Sequence, residues 1–121
     1  MYKSFAINYY ENMSLPRVVD HNNRKEFERL LRSGSDLNEK DLVGHTALIW
    51  AAIRGYIEMA DLLLRSNADV SVKDNGGSTA LIRAASYGHT QMVDLLIRSN
   101  ADVNVKDEVR INTIYIYIYI Y

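Results

Sequence analysis

The sequence predicts an all-α chain, a short solenoid of stacked helix-turn-helix units, and two observations carry that expectation. The first is a period. Asp36, Asp69 and Asp102 stand 33 residues apart, and Asp41–Lys73 is repeated by Asp74–Lys106 with roughly two-thirds of its positions identical. The second is the spacing of apolar residues inside each copy, which draws one helix face, stops at a glycine, and draws another. A fixed period of this size means supersecondary units that cannot bury an apolar face alone. The core therefore runs along the stack, and the function lies on its surface.

Residues 8–40 read as a worn first unit. One period before Leu48, Leu63 and Leu64 stand Leu15, Leu30 and Leu31, and Val18 and Val19 hold the places of the later paired alanines. Pro16 fits the first turn of the first helix, where a missing N–H is harmless. The second helix, Arg24–Arg32, is heavily charged, as a terminal unit with one face in water should be. In the second unit, residues 41–73, Thr46 precedes an apolar run and can accept a free backbone N–H of a first helical turn. Leu48, Ala51 and Ala52 then give a small apolar face that lets neighbouring helices approach closely. Gly55 ends this helix, because a left-handed cap costs glycine little. The next helix carries Met59, Leu62, Leu63 and Leu64, a denser stripe expected to hold most of the burial. Asn67 closes it where Gly34 stands one period earlier, asparagine being the other residue that tolerates this conformation. The third unit, residues 74–106, repeats these devices with Thr79, Leu81, Ala84, Ala85, Gly88, Met92, Leu95, Leu96, Ile97 and Asn100.

The two ends differ from this pattern. Met1–Tyr10 holds a single lysine and no long apolar run, so it reads neither as a signal peptide nor as a membrane span. It is expected to be poorly ordered or loosely packed on the first helix. Downstream, Arg110 stands where the turn following the one at Asp74 needs glycine, and residues 114–121 alternate Ile and Tyr. By period this tail is a strand, yet it has no polar face and no partner strand in a helical stack. One reading is mutational: ATA and TAT encode Ile and Tyr, so an AT tract read in frame yields the tail of a truncated or frame-shifted array. The other is an adhesive or pairing strand. Under both, the low-complexity segment 111–121 is uncharged and free of proline, which makes it an aggregation hazard. The expected organisation is one domain over residues 1–110 followed by this tail.

The run D-x-x-G-x-T-A-L-I-x-A-A-x-x-G at Asp41–Gly55, repeated at Asp74–Gly88, resembles the ankyrin repeat, whose period it shares. The resemblance implies a short ankyrin-repeat solenoid with two full repeats behind a degenerate one. Ala47 and Ala80 stand where that family has proline, and Ile49 and Ile82 where it has histidine. Without the proline the unfolded chain is freer, by about 0.4 to 1 kcal/mol. Without the histidine, which in the family helps tie adjacent turns, these repeats are expected to lean more on apolar packing.

Composition narrows the function. Fourteen basic and 15 acidic side chains leave a net charge of −1, with 48% of residues apolar. No basic stripe exists for phosphates, which argues against nucleic acid as the main partner. The absence of cysteine removes disulfides and thiolate metal sites, and an intracellular or cytoplasmic location is the expectation. His21, His45 and His89 lack a second ligand at i+4. His89 is expected to make a structural hydrogen bond, and His45 to be exposed at a turn tip. No serine sits in a nucleophile elbow, and Gly76-Gly77 is too short to cradle phosphate. Asp41 and Asp74 read as bonding their own turns rather than as paired acid and base. The expectation is no enzyme, no cofactor and no metal.

Binding remains. Trp50, Ile53 and Arg54 lie at i, i+3 and i+4 on one side of a helix, and Arg83, Ser86 and Tyr87 match them one period on. In the ankyrin family this side and the preceding turn tips form the recognition surface, which here adds Leu42, Val43, His45, Asn75 and Ser78. The two copies differ at these positions, and Trp, Tyr and Arg are the types that most often dominate an interface. For Trp50 an equal alternative is packing against the worn first unit. The expected function is a non-catalytic protein–protein interaction module, monomeric and with an aggregation-prone tail. The alternatives are a truncated remnant with no partner, and an inhibitor domain that occludes an enzyme.

Overall fold

The computed structural model describes residues 13–103. The expectations for Met1–Tyr10, for the stretch after residue 103 and for the Ile/Tyr tail lie outside the described residues. Six helices follow in order: α1 Leu15–Asp20, α2 Arg24–Arg32, α3 Ala47–Arg54, α4 Ile57–Arg65, α5 Ala80–Ser86 and α6 Thr90–Arg98. Among the described residues there is no strand. The architecture is all-helical, three helix pairs in line, with α1, α3 and α5 side by side and each against its own second helix.

Local chemistry sets the ends of these helices. The Ile49 N–H donates to Thr46 Oγ1 at 3.2 Å and the Ile82 N–H to Thr79 Oγ1 at 3.4 Å, so both threonines cap as their positions suggest. Asn23 does the same for α2, accepting from the Glu26 N–H at 3.2 Å. Asn67 and Asn100 take φ of 69° and 68°, the left-handed conformation that closes α4 and α6. Gly55, at φ 76°, has a second reason to be glycine: a Cβ there would meet His89 Nδ1 at 2.9 Å. The His89 ring crosses this glycine to donate from Nε2 to the Ile53 carbonyl at 2.9 Å, the structural role expected of it.

Packing corrects one expectation. The second helices do not hold most of the burial. Helix α3 buries Ala47, Leu48, Ile49, Ala51, Ala52 and Ile53, and α5 buries Ala80, Leu81, Ile82, Ala84 and Ala85. Helices α4 and α6 bury only Met59, Ala60 and Leu63, and Met92, Val93 and Leu96; Leu62, Leu64, Leu95 and Ile97 are half-buried. The reason is position in the stack. Helix α3 is flanked by α1 and α5 and backed by α4, so nearly its whole circumference meets protein, whereas α4 has core behind it and water in front. Ile49 and Ile82, each 1% exposed, put apolar bulk where the family has histidine. Each such buried side chain contributes about 1.5 to 3 kcal/mol relative to exposure.

Candidate interaction surface

An aspartate organises each turn that leads into α3 and α5. Asp41 Oδ1 accepts from the backbone N–H of Val43 at 3.1 Å and of His45 at 2.9 Å. Asp74 Oδ1 accepts from Gly76 at 3.0 Å and Ser78 at 2.9 Å. Both aspartates bond their own turns, as the sequence suggests. Each second oxygen takes a side-chain donor from the following helix. Trp50 Nε1 donates to Asp41 Oδ2 at 2.7 Å, and Arg83 grips Asp74 Oδ2 through Nη2 at 2.8 Å and Nε at 2.9 Å. His45 Nε2 adds a contact to the same Asp74 oxygen at 3.2 Å, joining the two turns. Burial pushes the Asp74 carboxyl upward, but the Ser78 N–H, Arg83 and His45 outweigh it and hold the group below the usual aspartate value.

A second set of bonds stitches the turns together. The Asn75 backbone N–H donates to the Val43 carbonyl at 3.2 Å, and its side-chain Nδ2 to the Leu42 carbonyl at 3.1 Å. Lys40 Nζ reaches the Lys73 carbonyl at 2.9 Å. The approach is close enough that a Cβ on Gly44 would lie 2.5 Å from Asn75 Oδ1.

The structure sorts the sequence candidates into three groups. Leu42 is 99% exposed, Val43 50% and Tyr87 57%; Arg54, Asn75 and Ser86 are exposed with them. Trp50 and Arg83 are half-buried because each holds a turn carboxylate. Three residues do not lie open. Ile53 is 9% exposed and belongs to the core cluster, since this side of α3 straddles the edge of the packed interior. Ser78 is 2% exposed, drawn under the turn by exchanging hydrogen bonds with Asp74. His45 is not an exposed turn tip: its side chain is 13% exposed, held between Asp74 and the Trp50 ring.

Trp50 is half-buried and lies beside residues of the first unit. Its ring meets the His45 ring edge-on at 4.6 Å, and Arg54 lies above it with Cζ 5.3 Å from the centroid. Arg54 is itself fixed by Asp20 at 2.8 Å, across from the first unit. Trp50 also lines a groove of about 310 Å³, together with Arg17, Asp20, His21, Asp41, Leu42 and Val43. Arg17, Asp20 and His21 escape a reading that compares only the two clear copies. The period could have found two of them, since Arg17 and His21 stand 33 residues before Trp50 and Arg54.

The family model of ankyrin repeats, in three copies, matches residues 16–107. The chain belongs to the ankyrin-repeat family. The match takes in residues 16–40 of the worn first unit as well as the two clear copies. No curated protein matches the chain. Ankyrin repeats are generally protein–protein interaction modules, and the family is typically non-catalytic. Among the described residues, no group of His, Cys, Asp and Glu could hold a metal ion, and no helix is long and apolar enough to cross a membrane.

Proposed function

We propose that this ankyrin-repeat protein is a non-catalytic interaction module whose protein partner docks on the second and third turns and the groove beside them. Leu42, Val43, Trp50, Arg54, Asn75, Arg83, Ser86 and Tyr87 supply the surface, while Ile53, Ser78 and His45 support it from beneath. The observation that carries this reading is Leu42. This residue is 99% exposed on a turn braced by Asp41 and by Asn75, beside Val43 and an open groove. Such a residue contributes nothing to the core, and a braced apolar anchor loses little freedom when a partner covers it. Arg54 and Arg83 are already paired with Asp20 and Asp74, so the surface does not call for a strongly acidic partner.

The test is capture by the immobilised full chain, followed by affinity measurements on whatever is retained. The double variant Leu42→Asp/Val43→Asp should keep the native melting temperature and weaken binding by at least about tenfold, or about 1.4 kcal/mol. A partner held equally well by native and variant protein would place the interface elsewhere.

A further inference from the structure

The tip of the third turn carries an asparagine followed by a glycine, and Gly76 is not needed there for its backbone. A Cβ built on it would meet Arg83 Nη2 and Asp74 Oδ1 at an ordinary 3.5 Å, and among the positive-φ glycines it is Gly77, at 80°, that turns the chain. Asn75 is exposed, and its amide is the side-chain stitch to the second turn. A glycine on the C-terminal side leaves the asparagine Cγ open to the next backbone nitrogen, because no side chain stands in the way. We propose that Asn75-Gly76 is a site of spontaneous covalent modification, where conversion of the Asn75 amide to a carboxylate unstitches the second and third turns and places a negative charge beside Leu42 and Val43.

The chemistry needs only water. The Gly76 backbone nitrogen loses its proton and bonds to Asn75 Cγ; the Cγ–Nδ2 bond breaks, and ammonia leaves with that proton, giving a succinimide. Water then opens the ring at one of its two carbonyls. Opening at Cγ gives aspartate; opening at the backbone carbonyl gives isoaspartate, whose main chain is longer by one methylene. The folded turn restrains the first step, because the Gly76 N–H donates to Asp74 Oδ1 at 3.0 Å and so keeps its proton engaged. Reaction therefore runs through openings of this turn. Afterwards position 75 has no side-chain N–H for the Leu42 carbonyl, so two acceptors face each other, and the isoaspartyl form also breaks the spacing from Asp74 to Ser78. This chemistry belongs to the turn itself and stands apart from the partner reading.

The full chain, aged at mildly alkaline pH and digested, gives the answer by peptide mass mapping with an isoaspartate methyltransferase assay. Asn75 should convert first, ahead of Asn67 and Asn100, whose following residue is alanine. Gly76→Ala, which the turn accommodates, should keep the native helical signal and slow conversion by about tenfold or more. Asn75→Gln should show no product at this peptide, and the converted fraction of the native chain should melt earlier than the unconverted. An Asn75 that keeps its amide while Asn67 and Asn100 react, or a Gly76→Ala variant that reacts at the native rate, would overturn the site. Equal melting of converted and unconverted protein would overturn the unstitching.

Discussion

Trp50→Phe isolates the contact that most changes the meaning of this surface. The variant keeps an aromatic ring against His45 and the core but deletes the N–H that Asp41 Oδ2 accepts at 2.7 Å. A hydrogen bond to a charged group contributes about 1.5 to 3 kcal/mol. The low end applies, because Asp41 keeps two backbone donors and is only half-buried, so water can reach the vacated oxygen. A loss of about 1.5 kcal/mol lowers the melting temperature of a domain this size by about 6 °C. Trp50→Ala also removes ring packing and should cost about 3 kcal/mol. Far-UV circular dichroism in urea reads both, and a double-mutant cycle with Asp41→Asn should show coupling of about 1 kcal/mol. Native fluorescence gives an independent view, since Trp50 is the only tryptophan. Trp50→Phe within about 0.3 kcal/mol of native, with a fully quenchable, red-shifted native emission, would refute the clamp and return Trp50 to the solvent.

Two further outcomes follow from the packing and the turn charges. Ala52 is fully buried where α3 meets its neighbours, so Ala52→Leu should overpack the stack by about 1 to 3 kcal/mol and lose helical signal on mild heating; normal melting would disprove the close approach. Asp74, held below its ordinary value of 3.8, contributes stability that is present above that pH and lost as pH falls through and below it. Asp74→Asn should therefore be less stable at neutral pH by about 2 kcal/mol, and its stability should fall less than the native chain's as pH drops through and below 3.8. Parallel stability curves for the two proteins would count against this role for Asp74.

What the sequence determined by itself is whatever depends on short range. The period, the threonine caps, the left-handed asparagines at 67 and 100 and the turn bonds of Asp41 and Asp74 all act within a few residues, where backbone geometry and spacing dictate the outcome. Even His89 was legible in kind, though its acceptor on Ile53 lies a full repeat away. Tertiary structure decided which side chains remain open. Helical spacing put Trp50, Ile53 and Arg54 on one side, but the neighbouring helices and turns covered Ile53 and left Arg54 out. His45 and Ser78 share a register position, yet one bridges to the next repeat through Asp74 and the other closes its own turn. The groove needed Asp20, Arg17 and His21 from a repeat too worn to compare letter by letter, and the Asn75 stitch needed two turns brought to hydrogen-bond distance. Apart from the bond within Ser78's own turn, such contacts join residues about a repeat apart, and they exist only once stacking has fixed where one unit lies on the next.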